Sequence, residues 1–166
     1  MTDNTDATTS VRIERKFGAP IDLIWKMWAD PEHFKAWYGP QGATIPVAEF
    51  DVRVGGRRFV GMEMKTPNGA MQMWFTGEHL AVDEPTSLAY TESMSDSGGN
   101  VQSPASMGMP DGHPTTTEVH VSLEANGDHT TMTLAHHGIP AGSPGEMGWR
   151  MAFDKLETYI NSSTAQ

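Results

Sequence analysis

"GEMGWRMAFDKLETYI", residues 145–160, repeats Trp149, Ala152, Phe153, Leu156 and Ile160 at helical spacing, so one side of a terminal helix is apolar along its length. Such a helix needs a surface to lie on, and what precedes it is strand after strand. From residue 44 the apolar period is two. "TIPVAEFDVRVGG" ends on an alternation of Phe50, Val52 and Val54 against Asp51 and Arg53, with Gly55-Gly56 as a hairpin turn. "RRFVGMEMK" returns with Val60, Met62 and Met64 opposed to Gly61, Glu63 and Lys65. "TPNG" and "DEPT" are turns flanking the strand "AMQMWFTGEHLAV", and "SLAYTESM" is a further strand. "TEVHVSLEANGDHTTMTLAHHG" is a hairpin about Asn126-Gly127-Asp128 in which Val119, Val121 and Leu123 face Met132, Leu134 and His136.

Upstream of these strands, "VRIERKFGAP" alternates Val11, Ile13 and Arg15 against Arg12, Glu14 and Lys16, a first strand that stops at Gly18-Ala19-Pro20. Pro20 stands at the start of a helix, where its missing N–H does no harm, and Asp22 lies in the first turn, where the helix dipole favours an anion. Ile21, Ile24, Trp25 and Trp28 fall on one face. Asp30 as N-cap and Pro31 at N1 interrupt that helix and begin a shorter one with Phe34, Trp37 and Tyr38 on its apolar side, stopped by Gly39-Pro40. The order is strand, two helices, about six more antiparallel strands and one long helix. A curved sheet of about seven strands gripping the terminal helix, roofed by the two short helices, is the α+β architecture this order predicts.

At 166 residues the chain is long enough for one domain with a real core. Residues 1–9 read as a disordered leader, 10–161 as the domain, 95–116 as a long flexible loop and 162–166 as a tail. No cysteine is present, which excludes disulfides, thiol nucleophiles and thiolate metal sites. Against 21 acidic residues stand 11 basic ones, a formal net charge of −10 that opposes binding to nucleic acid or to anionic membranes. No apolar run reaches the length of about 20 residues that a membrane span needs, and "MTDNTDATTS" lacks the features of a secretory signal, so a cytoplasmic location is expected. Met occurs 12 times, consistent with a pliable interior.

The segments Trp-Ala-Asp-Pro-Glu…Trp-Tyr-Gly-Pro, "DVRVGGRRF", "G…DEP…L.YTE", "TTMTLAHHGIP" and "GW…FDKLETYI" resemble, in order, the activator-of-heat-shock-protein-ATPase-like branch of the START-like, SRPBCC superfamily. The resemblance runs from about Val11 to Ile160. It implies the helix-grip fold and a deep hydrophobic pocket but no single activity, since members of the superfamily hold small molecules, catalyse cyclisations or aromatase steps, or regulate a chaperone in the stress response. It implies no fixed catalytic residues and no cofactor. Two departures stand out: Arg58 occupies a position that usually carries an aromatic residue, and the stretch from Ser95 to Thr116 is longer than the usual connection between strands.

The aromatic block has two readings: Trp28, Trp37 and Tyr38 line a pocket mouth, or they pack helix against sheet as Trp25 and Phe34 do. The seven histidines show no metal-ligand spacing, and His136 and His137, adjacent on a strand, point to opposite faces. Met107, Met109 and His113 offer soft donors for copper, but a mobile Gly/Pro/Ser loop explains them as well. No phosphate cradle or nucleophile elbow is found.

By parity, Arg58 shares a face with Val60, Met62 and Met64, Glu92 with Leu88 and Tyr90, and His136 with Met132 and Leu134. Arg58, Glu92 and His136 would then be the few polar groups of an apolar pocket, unless a bulge reverses the parity. A closed cavity is expected between Trp37, Val60, Met62, Tyr90, Leu134, Trp149 and Phe153, with Tyr38 at its mouth. Inside it Arg58 would need an anionic partner, either Glu92 or the ligand. Binding of a small hydrophobic or amphipathic molecule is the leading function; regulation of a chaperone ATPase is one alternative, and a cyclase- or hydrolase-type enzyme using Glu92 or His136 is another. No metal or cofactor is expected.

Overall fold

The computed structural model describes residues 10–103, 106 and 114–162. The leader 1–9, Met107, Met109 and His113 lie outside these residues, as does the tail beyond Ser162. Val11, Ile13 and Phe17 form the buried side of β1 (Ser10–Phe17). Pro20, in extended conformation, leads into α1 (Ile21–Ala29), whose buried face is Ile24, Trp25, Met27 and Trp28. Asp30 ends α1 and caps α2 (Pro31–Phe34), its carboxylate accepting from the Glu32 N–H at 2.9 Å.

Then follow β2 (Ala43–Phe50), β3 (Arg57–Thr66), β4 (Gly69–Asp83), β5 (Ser87–Ser95), β6 (Thr116–Asn126), β7 (His129–His137) and α3 (Pro144–Ile160). All seven strands join one antiparallel sheet in the order β1-β7-β6-β5-β4-β3-β2. The hairpin register pairs Val119 with His136, Val121 with Leu134 and Leu123 with Met132, as the sequence alternation requires. Irregular pairing between Thr44 and Val47 in β2 and between His79 and Ala81 in β4 adds bend, and the sheet curls into a half-barrel around α3. This is the expected sheet-around-helix fold.

One strand boundary differs. The alternation of Phe50, Val52 and Val54 does not continue β2, which ends at Phe50. Asp51–Gly56 turns instead, closed by Gly56 N–H to the Arg53 carbonyl and tied to β4 by Gly55 N–H to the His79 carbonyl, both at 2.8 Å. Val54 is left 68% exposed, so its place in the alternation carried no core information.

The concave face closes on Trp149, Ala152, Phe153, Leu156 and Ile160 of α3. Trp28 is the hub between layers, with ring centroids 4.9 Å from Trp37, 5.8 Å from Trp149 and 6.2 Å from Phe153. Its indole N–H donates to Met132 Sδ at 3.3 Å, while that of Trp37 donates to the Met27 carbonyl at 3.1 Å. The aromatic block therefore packs roof, helix and sheet together. Among the described residues no helix is long and apolar enough to cross a membrane.

Candidate functional site

The interior is not filled evenly along α3. Toward the C-terminal end Phe153, Leu156 and Ile160 are buried large side chains, but the N-terminal half presents Gly145, Gly148 and Ala152 to the sheet. Small side chains at that spacing leave room. A cavity of about 290 Å³ lies there, between α3 and strands β3, β4, β5 and β7, with the Gly39-Pro40 loop on its near side. Its apolar walls are Met62, Met64, Met73, Ile139, Pro144 and Ala152, joined by the ring of Trp149. Pro144 and Gly145 are exposed, so the cavity opens to solvent at the start of α3.

Its polar groups are Tyr38, Glu92 and His136. The Tyr38 hydroxyl donates to Glu92 Oε2 at 3.2 Å. Burial, then the nearby Glu92 charge, hold the Tyr38 phenol well above its usual pKa, so it stays a proton donor. His136 is 5% exposed and is held from both ring nitrogens. The Trp149 indole N–H, which can only donate, points at His136 Nδ1 at 2.9 Å, so Nδ1 accepts. The ring proton then sits on Nε2 and donates to Thr117 Oγ1 at 2.8 Å, and that hydroxyl donates to the Glu92 carbonyl at 3.2 Å. Glu92 Oε1 lies 3.9 Å from the same Nε2. Bound this way, His136 is neutral and oriented, with neither nitrogen's lone pair or proton aimed at a substrate.

Met62, Tyr38, Glu92, His136 and Trp149 are thus brought together around one space. Trp37, Val60, Tyr90, Leu134 and Phe153 are not in its wall: all five are buried and packed beside it. The rings of Trp28, Trp37 and Phe153 fill the half of the interior that the alternation pattern alone leaves open. The space is also an open pocket, not a closed one.

Arg58 is buried but does not line the cavity. Its guanidinium lies 3.6 Å from the centroid of Tyr90 and within 4.7 Å and 5.1 Å of those of Phe50 and Phe34. Among the described residues its immediate surroundings are aromatic faces, not a carboxylate, and Nη2 has no hydrogen-bond partner. The charge reaches its neighbours through space: it lowers the pKa of Tyr90, which burial nonetheless drives far up, and after burial it is the second cause that lowers His79.

Several residues at the site were not singled out from the sequence. Met73, Ile139 and Thr117 are ordinary strand or loop residues whose role depends on curl. Gly145 and Gly148 did carry a signal: two glycines inside a helix are costly, and three residues apart they share a face. Lys155, outside the cavity, donates to the carbonyls of Tyr38, Gly39 and Pro40 at 3.2, 3.1 and 3.2 Å and fixes the loop that forms the near wall. Among the described residues no three His, Cys, Asp or Glu side chains gather to hold a metal ion.

A family model described as Activator of Hsp90 ATPase homolog 1-like protein matches residues 18–161. Solved structures share the fold at low identity. Protein NE0264 from Nitrosomonas europaea superposes with a TM-score of 0.74 at 20% identity, over 97% of this chain and 99% of that one. Protein Ms6760 from Mycobacterium smegmatis gives 0.72 at 22%, over 94% and 93%. CalU16 from Micromonospora echinospora gives 0.61 at 23%, over 93% and 78%. No curated protein is significantly similar to the chain.

Proposed function

Since the chain belongs to the Activator of Hsp90 ATPase homolog 1-like family, the model of which covers residues 18–161, we propose that it holds a small hydrophobic or amphipathic molecule in the cavity between the sheet and α3. The observation that carries this reading is Gly148 on the cavity face of α3; at Gly145 a Cβ would meet Ile139 Cγ2 at 2.7 Å, so close packing accounts for that glycine. Glycine inside a helix is less favourable than alanine by about 0.8–1 kcal/mol. A Cβ built on Gly148 meets nothing within 4 Å, so close packing does not require glycine there. What the missing side chain does provide is volume, beside three flexible methionine walls and a short set of oriented polar groups, the usual composition of a ligand pocket.

The family's description names activation of a chaperone ATPase, so a chaperone is the rival partner. That role calls for a docking face. The large apolar side chains exposed among the described residues are Val54 in the β2–β3 turn, Met71 and Leu80 on β4, Val101 after β5 and Met147 on α3, with Val54 and Leu80 on segments joined by the Gly55–His79 bond. Catalysis by Glu92 or His136 is the third reading, and the double engagement of His136 argues against a free base at that position.

Titration with the neutral fluorescent probe N-phenylnaphthylamine tests the proposal. Saturable uptake by the wild type is expected, with loss of uptake in Gly148→Phe while circular dichroism shows the fold retained. No saturable uptake by the wild type, or undiminished uptake by Gly148→Phe, refutes it.

A further inference from the structure

Resting on the binding reading above, we infer that the cavity selects amphiphiles whose head group donates a hydrogen bond, an alkylammonium before an alcohol, and rejects carboxylates. The charged side chain in its wall is Glu92, whose side chain is 10% exposed. A carboxylate offers about four lone-pair sites. Among the described residues Glu92 Oε2 accepts from Tyr38, and the Nε2 proton of His136, 3.9 Å from Oε1, is directed to Thr117 instead. Acceptor capacity on Glu92 is therefore left over at a site reached from the cavity, and a carboxylate in an apolar setting is stabilised by a further donor.

Among the described residues the cations that would favour an acidic ligand stand outside the cavity wall. Arg58 is enclosed by aromatic rings outside the wall, and Lys155 gives its protons to the carbonyls of Tyr38, Gly39 and Pro40. The start of α3, at the cavity rim, would attract an anion through its dipole, but Glu146 in its first turn already answers that field, accepting from Gly142 N–H at 2.8 Å and from Arg150. An incoming carboxylate would meet Glu92 with no cation among the described wall residues; the Arg58 charge, which reaches Tyr38 and Tyr90 as the Glu92 charge does, stands outside the wall.

Displacement of N-phenylnaphthylamine by octylamine, octanol and octanoate at neutral pH reads the order directly. Octylamine is expected to compete at concentrations at least tenfold below octanoate, with octanol between them. In Glu92→Gln the amine-to-carboxylate ratio should collapse below threefold, whereas Tyr38→Phe, which keeps the carboxylate and frees Oε2, should keep it at tenfold or more. Because Gly148→Phe takes up no probe, amine attracted to the acidic surface is controlled for by calorimetric titration of octylamine into that variant, which should show no saturable binding; binding as tight as to the wild type would place the amine outside the cavity and overturn the inference. Octanoate competing as well as octylamine in the wild type overturns the inference without any variant, as does a ratio unchanged in Glu92→Gln. Uptake of the probe with the wrong order of competitors overturns only the head-group assignment; no uptake at all overturns the binding reading, and this inference with it.

Discussion

Lys155→Met removes the group that fastens the near wall of the cavity to α3. Its ammonium donates to the Tyr38, Gly39 and Pro40 carbonyls at 3.2, 3.1 and 3.2 Å, so all three protons are in use. A hydrogen bond involving a charged group contributes about 1.5–3 kcal/mol when shielded. Three such bonds do not simply add here. Lys155 is partly exposed, burial lowers its pKa because the ammonium has given up hydration, and water can take over at the carbonyls once it is gone. A net loss of about 2 kcal/mol is expected. For a domain of this size that lowers Tm by roughly 4–8 °C. Urea unfolding checks it: the midpoint should fall with an unchanged slope, since the surface exposed on unfolding is the same. Because Tyr38 rides on the released loop and also bonds Glu92, probe affinity should fall on the order of three- to tenfold. A change in stability below about 0.5 kcal/mol, together with unaltered probe affinity, would refute the idea that this clasp supports the cavity.

Other outcomes follow from single contacts. Gly148→Ala should raise stability by about 0.5–1 kcal/mol, since the helix gains propensity and the new methyl meets open space; a lower Tm by calorimetry would contradict this. His79 is held below the usual imidazole pKa by burial first and then by the Arg58 charge. The unfolded chain takes up the proton that the native state refuses, so this contribution is complete above about pH 6.5 and is lost as pH falls through the lowered native value. Urea midpoints from pH 7.5 down to 5.5 should decline less in His79→Gln, and parallel declines would exclude His79 as the cause. Arg58→Met should leave probe binding unchanged and cost no more than about 1 kcal/mol, because the buried charge forfeits hydration while its cation–π contacts contribute only about 1–2 kcal/mol; weaker probe binding would put Arg58 in the site.

How far the sequence could be read depended on which physical signal each part used. Period-two alternation and turn residues located the strands, and the register Val119–His136, Val121–Leu134, Leu123–Met132 follows from them because one face must be buried. Asp30 as cap and Pro31 after it marked the break between the short helices. Local pattern failed at Val52 and Val54, where tertiary bonds from Gly55 to β4 won over the alternation. It failed again on the cavity wall. Parity tells which side of the sheet Val60, Tyr90 and Leu134 face, and helical spacing which way Trp37 and Phe153 turn, but neither tells whether the space before them is filled, and ring packing around Trp28 fills it. Parity did serve for Glu92 and His136, which share the interior with Tyr38. Arg58 also points inward, yet its partners are rings contributed by β2, α2 and β5, which no single-strand pattern could assemble.

The claim that a ligand occupies the space under the N-terminal half of α3 is tested most directly by methyl NMR on protein labelled at the methionine methyl groups. Met62, Met64 and Met73 lie in the cavity wall, whereas Met27 and Met132 are fully buried in the core away from it. On adding N-phenylnaphthylamine, intermolecular NOEs and the largest shift changes are expected at Met62, Met64 and Met73, with Met27 and Met132 nearly still. Shifts at Met27 and Met132 as large as those of the wall methionines, or no NOE from probe to any of the three, would contradict it.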